Sequence, residues 1–132
     1  MDIIQEFNAG KKSIIVGKLT QNVINLLQIQ HAPSDIVIWS DRYQHISKHE
    51  GNFKSLQSFQ KCFNSIPEII FDPDYVAKHP SLDSIEYIKQ IDELVLVAVR
   101  IKKGKLAVKT MFPLTNSKLN DYINSGTAVA MK

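Results

Sequence analysis

The spacing of apolar residues changes at Ser84, and this change constrains the fold more than any other feature of the 132-residue chain. Upstream, several segments carry apolar residues at helical spacing; downstream, apolar and polar residues alternate. Three alternating segments follow one another: SIEYIKQI, LVLVAVRIK and KLAVKTMF. The short turns Asp92–Glu93 and Lys103–Gly104 separate them, and two-residue turns predict antiparallel hairpins. The second half of the chain is therefore predicted to be an antiparallel meander.

The first half predicts helices with two short strands. An amphipathic helix is expected over residues 19–29, and two more over 41–62 with a break near Gly51, the first of them carrying HISKH. Short strands are expected at IIV (14–16) and DIVIW (35–39), a short helix at PEIIF, a loop over FDPDYVAKHP, and a last helix over 119–123. The predicted class is α+β, in a single domain over residues 1–132 whose N-terminal helical part is 1–35.

Composition narrows the possible functions. Hydrophobic residues make up 44% of the chain and charged residues 22%, which is typical of one folded domain and not of a disordered chain. A lone cysteine, Cys62, excludes an internal disulfide and a multi-cysteine zinc site, and it is expected in the core. No apolar run approaches the roughly 20 residues of a membrane span, and the N-terminus lacks the apolar segment of a signal peptide. We therefore expect a cytosolic protein without a membrane partner.

Charge is placed unevenly. The net charge is only +3, but five basic residues and no acidic one lie between Arg100 and Lys109. If both turns contain two residues, Lys102 opposes Lys105 and Arg100 opposes Ala107. One face is then apolar: Val95, Val97, Val99, Ile101, Leu106, Val108, Thr110 and Phe112. The other face carries Tyr87, Lys89, Arg100 and Lys109 around Ala98 and Ala107.

Such a face has two interpretations. Cations beside small residues and a phenol are typical of a platform for RNA or a nucleotide. Charged residues are equally typical of the solvated side of a sheet that buries its other side. The register itself is sensitive, because a slip of one residue moves a whole strand to the opposite face. Glu86 conflicts with this register, which places it on the apolar face.

The HISKH stretch offers a second candidate site. His45 and His49 are four residues apart, so they share one side of a helix. Two imidazoles can supply the general base and the general acid for RNA cleavage, which needs no metal. Zinc is the weaker interpretation, since Ile46 replaces the glutamate of HExxH, and His31 and His79 have no diagnostic spacing. Two surface histidines on a polar helix remain the commonest outcome for such spacing.

The order of several segments resembles a known family. HISKH is followed by FNSIPEIIFDPDYV, SIEYIK, VLVAVRIKKGKLAVKTMF and NDYINSGTAVAMK. Over residues 36–126 this order is similar to the phage barnase–EndoU–colicin–RelE-like nuclease domains of phage, mobile elements and polymorphic toxins. The resemblance implies helices followed by a four-stranded antiparallel sheet. It also implies metal-independent, cofactor-free endoribonuclease activity that leaves a 2′,3′-cyclic phosphate, often on tRNA, and an immunity or antitoxin protein as partner.

The resemblance also implies site residues. His45, His49, Lys109, Thr110 and Tyr87 match catalytic positions. Lys48, Arg100 and Ser125 match substrate-binding positions, and Thr127 is a further hydroxyl-bearing candidate in the tail; Lys89 is a substrate-binding candidate from the predicted register of the sheet. Adjacent Lys109 and Thr110 cannot both face a substrate from a regular strand, so either a bulge or a structural role for Thr110 is expected.

Three functions are compatible with these observations. The first is a small RNase with the two histidines as acid and base and with Arg100 and Lys109 holding phosphate. The second is a non-catalytic module that binds nucleic acid or protein on the same fold. The third is an accessory domain of a longer phage protein with an immunity-type partner. Cleavage of RNA separates the first function from the other two.

Overall fold

The computed structural model describes residues 2–79, 83–102 and 104–132. Its helices are α1 (Ile3–Asn8), α2 (Gln21–Leu27), α3 (Ser40–Ser47), α4 (Leu56–Asn64), α5 (Ile66–Phe71) and α6 (Asn116–Asn124), with a 3₁₀ turn over Glu50–Asn52. Its strands are β1 (Ser13–Leu19), β2 (Ser34–Trp39), β3 (Tyr75–Lys78), β4 (Ser84–Gln90), β5 (Leu94–Lys102), β6 (Lys105–Pro113) and β7 (Ala128–Ala130).

Polar side chains fix where the helices begin. Thr20 and Thr115 accept hydrogen bonds from backbone amides in the first turns of α2 and α6, and Ser55 does the same for α4. Each bond satisfies an amide that has no partner inside the helix. In α5, Pro67 occupies the first turn, where its missing amide hydrogen costs nothing.

The strands form one mixed sheet in the order β1-β2-β6-β5-β4-β3-β7. The predicted meander β4-β5-β6 is confirmed, and β5 and β6 pair Lys102 with Lys105 as expected. Lys103, in the turn between them, lies outside the described residues. The expectation of a four-stranded antiparallel sheet is wrong, because β2 pairs with β6 in parallel and further strands extend both edges.

Two segments account for the wider sheet. FDPDYVAKHP, expected to be a loop, contains β3, whose four residues pair with β4 and the first three of them also with β7. The two prolines in this segment favour a loop in a prediction from sequence, but they lie on either side of the paired residues in the sequence and not among them. In the N-terminal part, the short strand expected at residues 14–16 is present and longer than expected: β1 pairs with β2 and carries a bulge between Ile15 and Gly17.

The two faces of the sheet are covered differently. Helices α1 to α5 pack on what we call the helix-covered face, whose buried residues include Ile85, Tyr87, Val95, Val97, Val99, Leu106, Val108 and Met111. On the opposite face, a smaller cluster places α6 over Ile88 and Leu96. We call the rest of that side the open face; its residues include Ser84, Glu86, Arg100, Ala107, Lys109 and Thr110, and buried Ala98 lies where it meets the α6 cluster.

The turn between β4 and β5 decides which residues reach the open face. Gln90 pairs with Leu94, so the loop holds Ile91, Asp92 and Glu93 rather than the two residues predicted. One extra residue reverses the face of every β4 side chain relative to the predicted register. Glu86 therefore lies on the open face, opposite Ala98.

A bulge in β6 changes the faces a second time. Val108 pairs with Val99, but the next pair along is Thr110 with Ala98, so Lys109 is the extra residue. Buried Val108 and Met111 consequently have two residues between them that both avoid the core, exposed Lys109 and half-buried Thr110. The bulge expected from the adjacency of these two polar residues is present, and the predicted placement of Thr110 and Phe112 on the apolar face is wrong.

Candidate active site

Glu86 lies at the centre of the open face. Its strand partners on the two sides are Ala77 in β3 and Ala98 in β5. Methyl side chains leave the carboxylate in a low part of the surface between taller neighbours. Only 5% of the residue is exposed, so its carboxyl group is held away from bulk water.

The charge of Glu86 is poorly compensated. Burial raises the pKa of its carboxyl above the ordinary value, and the nearby positive charges of His79 and Lys109 lower it only in part. A carboxylate whose pKa is raised toward neutrality is a better proton acceptor near neutral pH than an ordinary glutamate. The phenol of Tyr122 in α6 also has a raised pKa, because it is partly buried and because the negative charge of Glu86 opposes its ionisation.

His79 lies at one end of the site. It follows β3 directly, and its backbone amide donates to the carbonyl of Ser84 at 3.1 Å. Ser84 and Glu86 are alternate residues of β4, so the imidazole lies diagonally across from the carboxylate on the same face. The exposed position of His79 leaves its ring within reach of a substrate.

Cations lie at the other end. Arg100 pairs with Ser84 on one side and with Ala107 on the other, two residues along β5 from Ala98. Lys109 is presented by the bulge of β6, and the guanidinium of Arg42 donates to its carbonyl at 3.3 Å. Two intervals between strands separate Glu86 from Thr110, a backbone distance of roughly 10 Å, and buried Ala98 lies between them.

Two hollows open beside these cations. The smaller, of about 180 Å³, is lined by Trp39, Asp41, Arg42, Arg100, Ala107, Val108 and Lys109. The larger, of about 670 Å³, is lined by Ser34, Asp35, Val37, Trp39, Arg100, Lys102, Gly104, Lys105, Leu106 and Ala107. Arg100 and Trp39 border both, so the hollows form a continuous cationic surface that leads away from Glu86.

Tyr87 and Lys89, expected at the substrate surface, lie on the helix-covered face. Tyr87 is 1% exposed, and burial raises the pKa of its phenol. Lys89 is 7% exposed and donates to the backbone carbonyl of Asp72 at 2.8 Å and to its carboxylate at 3.2 Å. Both expectations are therefore wrong, and the physical reason is the three-residue turn before β5.

His45 and His49 lie together on the surface. Their ring centroids are 5.8 Å apart and both side chains are exposed, as is Lys48 between them. Arg42, one turn earlier, shares their side of α3 and reaches the β6 bulge, but neither histidine lines the two hollows. The prediction that these two imidazoles act on RNA stays a prediction.

The remaining candidates lie at the end of α6. Ser125 follows the helix, and its hydroxyl lies 2.9 Å from that of Thr127 and donates to the carbonyl of Tyr122. These bonds close the helix end against β7. Neither hydroxyl lines the two hollows, so the substrate-binding role of Ser125 also stays a prediction.

Sequence reasoning missed Glu86, His79 and Trp39 as site residues. The signal for Glu86 was present, because a carboxylate on a predicted apolar face indicates that the register is shifted by one. A tryptophan at the end of a short apolar strand is ordinarily a core residue, but Trp39 is half exposed. No local signal identifies His79, since its place depends on β3 pairing with β4.

Two further findings concern metals and membranes. Within residues 2–79, 83–102 and 104–132, no group of three His, Cys, Asp or Glu side chains is arranged to hold a metal ion. In the same part of the chain, no helix combines the length and apolar character needed to cross a membrane.

The chain was compared with known proteins. No curated protein and no solved structure matches it. A family model for the phage-Barnase-EndoU-ColicinE5/D-RelE like nuclease 3 matches residues 13–121. The match begins within β1, so the similarity extends further toward the N-terminus than the segment order had indicated. Because this match covers most of the chain, the resemblance is confirmed: the protein belongs to the phage-Barnase-EndoU-ColicinE5/D-RelE like nuclease 3 family.

Proposed function

We propose that the protein is an endoribonuclease that cleaves RNA by transesterification on the open face. The observation that carries this proposal is the buried carboxylate of Glu86, whose charge is only partly compensated by the nearby His79 and Lys109. RNA fits this arrangement because its 2′-hydroxyl is an internal nucleophile that needs only a base to activate it. The nuclease family supports the same class of reaction.

Each step has a residue. The carboxylate of Glu86 removes the proton of the ribose 2′-hydroxyl, and the 2′-oxygen attacks phosphorus. The bond from phosphorus to the 5′-oxygen breaks as the imidazolium of His79 gives that oxygen a proton. The products are a 2′,3′-cyclic phosphate and a 5′-hydroxyl, and no water is consumed.

Arg100 and Lys109 act on the charge of the phosphate. Negative charge increases on the non-bridging oxygens as the pentavalent transition state forms. Cations that are already in place stabilise this charge without reorganising during the reaction. The β6 bulge gives Lys109 its position, and the bond from Arg42 to the carbonyl of Lys109 ties the bulge to α3.

The test is incubation of total tRNA with the protein in EDTA, followed by analysis of the new ends. We expect fragments with 2′,3′-cyclic phosphate and 5′-hydroxyl ends, and a loss of activity in Glu86→Gln. A matched comparison is the double variant His45→Ala with His49→Ala, which leaves the open face unchanged and should retain activity.

Other outcomes are informative. Activity that survives Glu86→Gln but is lost in the double variant would assign the chemistry to the helical histidines instead. RNA that stays intact with the wild-type protein, but binds with strong dependence on salt, would identify a non-catalytic binding module and overturn the proposal.

A further inference from the structure

We infer that the larger hollow is a subsite in which an unpaired base of single-stranded RNA stacks on Trp39, next to the phosphate that is cleaved. This inference rests on the proposed function, because it takes RNA as the ligand of the open face. It adds the class of RNA and the residue that selects it.

Trp39 is an exposed aromatic residue with a specific position. It ends β2, and half of its surface is exposed although it borders two hollows. Val37, two residues earlier on the same face, and Ala107 on the neighbouring strand give the hollow an apolar floor beside the indole. A flat apolar surface of this kind suits the face of a nucleobase, and a volume of about 670 Å³ is within the range of small-ligand sites.

The charges around the hollow favour a polyanion. Arg100, Lys102 and Lys105 line it, against the single carboxylate of Asp35. Lys102 and Lys105 oppose each other at the end of the β5–β6 hairpin, and both are exposed. Like charges in directly opposed positions destabilise a hairpin, so an anion between them would relieve a repulsion that the fold alone leaves in place.

The connection to the catalytic cluster sets the order of subsites. Arg100 and Trp39 border the smaller hollow as well, and that hollow reaches Lys109. A strand with its scissile phosphate over Glu86, between His79 and the cations, therefore passes Arg100 before its next base meets Trp39. Stacking between neighbouring base pairs covers the faces of bases inside a duplex, so this subsite admits loops and single strands and excludes helical RNA.

The chain offers a direct readout, because Trp39 is its only tryptophan. In the Glu86→Gln variant, which is expected to bind RNA without cutting it, a short single-stranded RNA should quench the fluorescence of Trp39, and the quenching should reach a plateau as RNA is added. We expect no such quenching by the same strand in a duplex, by inorganic polyphosphate or by polyglutamate. Comparable quenching by either polyanion overturns the inference, and stronger quenching by polyglutamate would assign the hollow to an acidic protein surface.

Kinetics on a single-stranded substrate provide the second measurement. Trp39→Leu should raise KM by about 5- to 150-fold, the effect of losing one stacked base, and should change kcat less. Trp39→Phe should restore most of the loss, which separates stacking from a folding defect. The control is Phe71→Leu, which removes an aromatic side chain that is 89% exposed at the end of α5, and it should leave KM unchanged. An unchanged KM in Trp39→Leu overturns the inference.

The two proposals fail separately. Quenching of Trp39 by single-stranded RNA without any cleavage by the wild-type protein would refute the reaction and support the subsite. Cleavage without such quenching, and with no effect of Trp39→Leu, would refute the subsite and support the reaction.

Discussion

Two charged side chains of β4, Glu86 and Lys89, are almost equally buried, but they lie on opposite faces of the sheet and differ in their partners. Lys89 donates to the carbonyl and the carboxylate of Asp72 and lies 3.8 Å from Asp74. Those two carboxylates also bind Lys132, so the group of four ties the C-terminus to the turn before β3. Glu86 forms no ion pair of this kind among the described residues, and burial raises the pKa of its carboxyl.

The difference separates a structural charge from a reactive one. A buried ion that is fully hydrogen-bonded stabilises one conformation, and its partners keep it from reacting. A buried ion without such partners destabilises the fold, and a protein retains it where the stored free energy serves chemistry. On this basis we expect substitutions of the two residues to have opposite effects on stability, and only one of them to affect catalysis.

The largest expected effect is on catalysis by Glu86→Gln. The amide cannot accept the 2′-hydroxyl proton, so kcat/KM for RNA cleavage should fall by about 100- to 10,000-fold. Lys89→Met should leave the kcat/KM of the folded protein unchanged, because Lys89 faces the helices. Rates measured on the same RNA in EDTA give both values. A comparable loss in the two variants would mean that burial, and not the face, decides the effect.

His79→Gln should produce the next largest loss. Glutamine is able to hydrogen-bond but not to give up a proton, so cleavage of RNA should slow by about 100-fold or more. A substrate with a better leaving group than a 5′-hydroxyl does not need the acid, and it should recover most of the rate in this variant. If both substrates slow equally, His79 positions the site rather than acting as the acid.

Stability should respond with opposite signs. Lys89→Met removes a buried ammonium group together with the hydrogen bonds that it donates, and the free energy of unfolding should fall by about 1–3 kcal/mol. Glu86→Gln removes a buried charge that is only partly compensated, and the free energy of unfolding should rise at neutral pH. Urea denaturation of the two variants measures both changes. Destabilisation by Glu86→Gln would show that the carboxylate has an unrecognised stabilising partner.

The gain in Glu86→Gln should depend on pH. The folded protein raises the pKa of Glu86 above its ordinary value of 4.5, so the folded state binds this proton more tightly than the unfolded state. Relative to Glu86→Gln, the wild-type protein is therefore most stable below pH 4.5. Its free energy of unfolding falls relative to that of the variant as pH rises through the raised pKa. The difference between the two unfolding free energies should shrink toward zero on acidification. A constant difference would exclude titration of Glu86 as its cause.

Sequence patterns predicted most of this fold because alternation and helical spacing are local properties. The β4-β5-β6 meander, the strands at IIV and DIVIW and the burial of Cys62 were predicted and are confirmed, and the helix expected to carry HISKH is present but ends at Ser47, before Lys48 and His49. The relation between distant segments was not predictable in the same way. The parallel pairing of β2 with β6 and the pairing of β3 with β4 join segments that no local pattern connects.

The candidate site was predicted in part, and a single turn explains the division. Arg100 and Lys109 were placed on the open face because the β5–β6 turn has the predicted length. Tyr87 and Lys89 were placed wrongly because Ile91 joins Asp92 and Glu93 in the loop before β5. Apolar Ile91 resembles one more strand residue in the sequence, and its position outside the ladder depends on the three-dimensional turn.

Tyr87→Phe should have the smallest effect, and it tests the same register. The phenolic oxygen is buried and has no hydrogen-bond partner in the part of the chain that the structure describes, which costs about 1–3 kcal/mol in typical proteins. Removing the oxygen recovers part of that cost and leaves a small void, so the free energy of unfolding should rise by about 1 kcal/mol or less. Because the ring packs under the helices, kcat/KM should stay the same. A clear loss of RNA cleavage would place Tyr87 at the substrate and would require the three-residue turn, and with it the position of Glu86, to be reassigned.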